Sequence, residues 1–141
     1  MKMQVPILFF LLILLSACTE NSGTPIVPNE NNMIIKVKNN ADFEMYGLEL
    51  DLRNHTQGAV YADGSKIKKG DELLFEFLEE DFTLKGEGEM TVFILTDDHI
   101  EDNGDRIPLN KKVIFDLKSN KEIIFELTGE SISDAELKRL K

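Results

Sequence analysis

The stretch FEMYGLELDLRN, from Phe43 to Asn54, alternates between apolar and polar residues. Tyr46, Leu48, Leu50 and Leu52 are spaced by Gly47, Glu49 and Asp51, and Arg53 follows. Successive side chains on a strand point to opposite faces, so this spacing buries one face and wets the other. An antiparallel sheet covering a core requires that pattern. It recurs along the chain. KVIFDL sets Val113, Phe115 and Leu117 on one face, EIIFEL sets Ile123, Phe125 and Leu127, and ELLFEFL sets Leu73, Phe75 and Phe77. EMTVFILT is apolar on both faces, through Met90, Val92 and Ile94 on one and Phe93 and Leu95 on the other, which suits a central strand.

Turn signals separate these runs. Ala62-Asp63-Gly64-Ser65 contains a glycine able to take positive φ, and Lys69-Gly70-Asp71 precedes the next strand. Lys85-Gly86-Glu87-Gly88 reads as a bulge or tight corner. Lys118-Ser119-Asn120-Lys121 reads as a short hairpin connection between the two runs it joins. About seven short strands at this spacing predict an all-β fold, an antiparallel β-sandwich over residues 33–128. The order of features in IKKGDELLFEF and FTLKGEGEMTVFIL resembles immunoglobulin-like domains of bacterial surface proteins: glycine turn, strand, Leu-x-Gly corner, long central strand. The chain lacks the inter-sheet cysteines and buried tryptophan of antibody domains. The resemblance therefore implies architecture alone, and a transthyretin-like or other Greek-key sandwich fits equally well.

The N-terminus has a different character. Lys2 gives a positive start, and Val5 to Leu15 is almost continuously apolar. That run is shorter than the roughly 20 residues a bilayer-spanning helix needs, and small residues follow it, as in a secretory signal peptide. Leu15-Ser16-Ala17-Cys18 then resembles the lipobox of bacterial lipoprotein precursors. The resemblance implies a signal peptide over residues 1–17, cleavage between Ala17 and Cys18, and lipid attachment at Cys18, the chain's one cysteine. Two acyl chains anchor durably where one anchors marginally. Residues 18–32, rich in Asn, Pro, Glu, Ser and Thr, bury little and read as a flexible tether. About 14 flexible residues reach roughly 20 Å. The implied address is the bacterial cell envelope, on the extracytoplasmic side of a membrane.

At the other end, residues 129–141 include ESISDAELKRLK. Ser133 followed by Glu136 has the spacing of a capping box, with Lys138, Arg139 and Lys141 in the last turn. The spacing predicts a short C-terminal helix, docked through Ile132, Leu137 and Leu140, or else a frayed tail.

Charge and motif content exclude several activities. Lys and Arg number 16 against 26 Asp and Glu, a formal net charge of −10. Nucleic-acid binding needs a basic stripe, so no nucleic-acid partner is expected. A single cysteine excludes an internal disulfide and any multi-thiolate zinc site. His55 and His99 lack metal-ligand spacing, and Ser65 is a turn residue outside any G-x-S-x-G motif. GEG at Gly86 to Gly88 precedes a strand, so it does not cradle phosphate. With no Trp and two Tyr the chain offers no aromatic sugar platform. No enzyme activity is expected.

One loop concentrates oxygen ligands. In TDDHIEDNGDRIP, the residues Asp97, Asp98, Asp102 and Asp105 are candidate calcium ligands, although the EF-hand template laid on Gly104 would begin at His99 and so fails. A solvated acidic hairpin loop is the simpler reading, and no other cofactor is implied. The functional expectation is a membrane-anchored, extracytoplasmic lipoprotein acting as a non-enzymatic binding or structural module. The alternatives are a cell-surface inhibitor or immunity-type protein, or a calcium-binding module. The expected partners are the membrane, through the lipid, and a protein or cell-envelope component, which edge strands could engage. The domain itself is expected to be a monomer.

Overall fold

Alternating strands with one apolar face each must pair face to face to hide those faces. The computed structural model, which describes residues 24–97 and 105–141, shows this solution. Its strands are β1 (Asn32–Asn39), β2 (Gly47–Leu52), β3 (His55–Val60), β4 (Glu72–Leu78), β5 (Lys85–Leu95), β6 (Arg106–Pro108), β7 (Val113–Lys118), β8 (Lys121–Thr128) and β9 (Glu136–Arg139). They form an all-β sandwich of two sheets. One sheet has the order β4-β1-β8-β9. The other runs β3-β2-β5, and the far edge of β5 is shared by β7, along Lys85 to Met90, and β6, along Phe93 to Leu95.

β5 lies between β2 on one side and β6 and β7 on the other, as its two apolar faces suggested. Leu48, Leu50, Leu52, Met90, Val92 and Ile94 line the inner face of one sheet, and Met33, Ile35, Val37, Phe75, Phe77, Ile123, Phe125 and Leu127 that of the other. All are buried. Gly88 belongs to this packing. A Cβ there would lie 2.6 Å from Leu117 Cδ2 and 3.1 Å from Leu52 Cδ1, so any larger residue would have to displace the Leu117 side chain of β7.

Among the described residues pairing is antiparallel with one exception. β1 and β8 run parallel, with Met33 opposite Lys121 and Asn39 opposite Leu127. This follows from the connection between β7 and β8. Ser119-Asn120 does not close a hairpin: β7 pairs with β5 and β8 with β1 and β9, so the chain passes between sheets over two residues. Asn120, at φ 56°, makes the corner, and its N–H donates to the carbonyls of Asn29 and Asn32, each at 2.8 Å. Both flanking runs have buried inner faces, and alternation alone does not tell a hairpin from an inter-sheet arch. The tight hairpin is instead β2–β3, where Arg53 and Asn54 take φ of 52° and 65°, the positive values a two-residue turn between twisted strands requires.

The C-terminal helix expected from the capping-box spacing does not form. Ile132–Asp134 is a single 3₁₀ turn, and Glu136–Arg139 is the strand β9, paired with β8 from Phe125 to Thr128. Asp134, not Glu136, closes the turn: its carboxylate accepts from the N–H groups of Ser131, at 2.7 Å, and Glu130, at 3.2 Å. An open edge on β8 offers a full ladder of hydrogen bonds, which a marginal two-turn helix cannot match. Similarly, Lys85-Gly86-Glu87-Gly88 opens β5 rather than forming a corner before it, with Gly86 at φ 80°. Met45, not Tyr46, sends its side chain into the core, because the chain bends at Tyr46 before β2 begins at Gly47.

Candidate functional site

The sandwich has two distinct ends, set by strand direction. β1 starts at Asn32, at the same end as the Arg53-Asn54 turn, the β4–β5 connection and the Ser119-Asn120 arch. Here the entering chain is tied down. The buried Asn32 side chain donates to Val27 O, at 3.2 Å, and Glu76 Oε1, at 2.6 Å, and accepts from the Asn29 N–H at 2.7 Å. Asn29 Oδ1 in turn accepts from the Asn31 N–H at 2.8 Å. The end of the expected tether is therefore bonded to the domain from Val27 onward. Leu15, Ser16, Ala17 and Cys18, the expected lipobox and lipid attachment site, lie outside the described residues.

The opposite end carries the connections 40–46 and 61–71 and the acidic β5–β6 loop. Eleven residues of β5 separate the two ends, roughly 33 Å at a strand's rise per residue. At the base of the acidic loop the Thr96 N–H and Oγ1 both donate to Asp105 O, at 3.3 and 3.2 Å, closing the hairpin. Of the candidate calcium ligands, Asp97 and Asp105 stand at this base, while Asp98 and Asp102 lie outside the described residues, as does His99. Among the described residues no three of His, Cys, Asp and Glu are grouped to hold a metal ion.

Beside that loop, residues 61–71 are built around Asp71. Its carboxylate accepts from the Tyr61 hydroxyl at 2.6 Å and from the Lys68 N–H at 2.8 Å. The Tyr61 bond, with that N–H, holds the Asp71 carboxyl below the ordinary aspartate value. The same bond, together with burial, pushes the Tyr61 phenol above its ordinary value. Buried Asn39 braces the loop from below, its amide donating to Lys68 O at 3.1 Å and its carbonyl accepting from the Ala41 N–H at 3.1 Å. Lys66 pairs with Glu44 at 2.7 Å and stands 5.8 Å from the centre of the Tyr46 ring. Asp63 accepts from the Ser65 N–H at 3.0 Å, with Ser65 just after the Ala62-Asp63 turn. Sequence alternation could not show this brace, because its members are separated by turns. The Lys-Gly-Asp signal located it without naming Tyr61 as partner.

Two further surfaces are shaped by the second sheet. On its outer face the Arg106 guanidinium lies 3.9 Å from the centre of the Phe93 ring and is ion-paired with Glu49. At its edge, β7 leaves Ile114 60% exposed, and a groove of about 310 Å³ runs beneath the strand's start, between Val113 and Leu137. Lys111 bridges this groove to Glu136 at 2.7 Å, raising the lysine's pKa and lowering the glutamate's. His55, the first residue of β3, stacks on Phe82 with centroids 4.8 Å apart, so its ring is a packing element.

No protein-family model matches the chain. No curated protein matches it either. Among solved structures it is similar to the NMR structure of a protein from Eubacterium rectale, with 12% sequence identity and a TM-score of 0.48, over 84% of this chain and 96% of that one.

Proposed function

We propose that the protein is a lipid-anchored, extracytoplasmic lipoprotein whose sandwich acts as a non-enzymatic binding or structural module in a bacterial cell envelope. The observation that carries this reading is the polarity of the domain. The chain enters at Asn32, and the braced loop 61–71 and the base of the acidic loop stand at the far end, a β5 length away. A lipid on Cys18 would hold the entry end near the headgroups and present the far end to a partner. The net charge of −10 adds repulsion from anionic lipid, which helps hold the domain off the surface. The partner class is a protein or an envelope component. An inhibitor or immunity-type role would use the same far end.

The anchor is tested by metabolic labelling with an alkyne palmitate analogue and by Triton X-114 partitioning. The native chain should label and enter the detergent phase, and Cys18→Ser should do neither. Equal labelling of both chains overturns the anchor. The binding role is tested by pull-down with the lipidated chain. Retention of a partner that is lost on Asp71→Ala, which frees the loop 61–71, supports recognition at the far end, and retention unaffected by that change places recognition elsewhere.

A further inference from the structure

We propose that β7 is the contact between two copies of this chain, pairing antiparallel with its own counterpart in a register centred on Ile114. Among the described residues β7 pairs with β5 alone, so its second edge presents unpaired backbone groups. Ile114, Asp116 and Lys118 share the outward face, since Phe115 and Leu117 point into the core, and Lys112, the residue before the strand, reaches Glu89 of β5 at 2.5 Å. In a two-fold antiparallel pair centred on residue 114, Ile114 faces Ile114 of the second copy. Lys112 then faces Asp116, twice. The most exposed apolar side chain of the described strands meets its equal, Asp116 gains an opposite charge in Lys112, and Lys118 meets the uncharged Asn110.

Neighbouring registers fail this test. Centring on Phe115 sets Lys112 against Lys118 and Ile114 against Asp116. Centring on Asp116 sets two aspartates together. Within one copy, moreover, Asp116 stands opposite Glu87 of β5, a like-charge pair that Lys112 of a second copy would offset.

The other edges are less suited. β4 carries Glu72, Leu74, Glu76 and Leu78 on its outer face. Self-pairing centred on Leu74 or Glu76 opposes glutamates. β3 contains Gly58 and lies beside β4. β9 is four residues long, with Lys111 on its Glu136 and Asn110 on Ser133 O of the turn before it. The groove beneath the start of β7 leaves that strand open on its inner side as well. Pairing there would join two five-stranded sheets into one, closing the edge that each copy exposes. This contact is independent of the lipid anchor and of the far-end loops.

The test uses oxidative cross-linking of the full chain, with the native protein, whose one cysteine is Cys18, as the baseline. Ile114→Cys should give a disulfide-linked dimer, because directly opposite Cβ atoms are about 4.5–5.5 Å apart. Lys118→Cys should stay at baseline, since residue 118 faces residue 110 in this register. In the Ile114→Cys background, Lys112→Asp or Asp116→Lys alone should lower the yield about tenfold, and the two together should restore it. Equal yields at 114 and 118, no dimer at 114, or single reversals without effect would each overturn the proposal. Restoration by the double reversal excludes misfolding as the cause of the single losses.

Discussion

Phe115 and Phe125 meet edge to face, with ring centroids 5.8 Å apart and planes at 67°, although their strands belong to different sheets. The Ser119-Asn120 arch makes this contact by carrying the chain from one inner face to the other. Phe115→Ala should therefore cost about 3–5 kcal/mol, the usual loss for an emptied core phenylalanine site plus its ring partner. The check is the denaturant midpoint, with the slope watched for a change in the unfolded state. A cost below about 1 kcal/mol would mean that the arch does not hold the two rings together.

Gly88 gives a converse case. Its added Cβ would stand 2.6 Å from Leu117 Cδ2 and 2.9 Å from Leu117 Cγ, on the inner face of β5. Gly88→Ala should destabilise by about 1–3 kcal/mol through overpacking, despite the gain in strand propensity. The double variant with Leu117→Ala should cost less than the sum of the single changes, because the small residue makes room for the methyl group. Strict additivity would show that Leu117 is not what crowds the site.

Arg53 separates turn chemistry from side-chain bonding. It occupies a positive-φ position, which asparagine adopts more readily. Its guanidinium also donates to Thr83 O at 3.1 Å, Lys85 O at 3.2 Å and Glu87 O at 3.0 Å, tying the β2–β3 turn to the start of β5. Arg53→Asn improves the first and removes the second. The three lost bonds are expected to dominate, with a net loss of about 1 kcal/mol after allowance for their solvent exposure. A gain in stability would show that the turn, not the clamp, sets the contribution of this residue.

Legibility in the sequence divides along physical lines. Alternation revealed the buried faces of β2, β4, β7 and β8, and two-sided apolarity revealed β5 as central, because burial acts on each strand separately. Alternation says nothing about which strand lies beside which. So the Ser119-Asn120 link looked like a hairpin, and the parallel β1–β8 pair had no local signal at all. The C-terminal strand was hidden by competing helix signals in Ser133, Glu136 and the terminal lysines, which the open edge of β8 overrode. At the far end, the Lys-Gly-Asp turn was legible but the reach of Asp71 back to Tyr61 was not, since it depends on how loop 61–71 folds over Asn39.

The Tyr61–Asp71 bond predicts a stability profile that weakens at both extremes of pH. The Asp71 carboxyl is held below its ordinary value of 3.8, so the folded state favours the carboxylate. Its contribution is present above that ordinary value and is lost as pH falls through the lower, folded one. The Tyr61 phenol is raised above its ordinary value of 10.0, so the folded state favours the neutral hydroxyl. That contribution is present below pH 10.0 and is lost as pH rises through the higher, folded value. Other carboxylates, such as Asp134, add to the acid limb, so the difference between the native chain and Tyr61→Phe is the quantity to follow. That difference should be level across the neutral range and should shrink below the ordinary aspartate value and above the ordinary tyrosine value. Urea unfolding at stepped pH measures it. A difference constant across the whole range would mean that the ring's packing, and not its hydroxyl on Asp71, is what Tyr61 contributes.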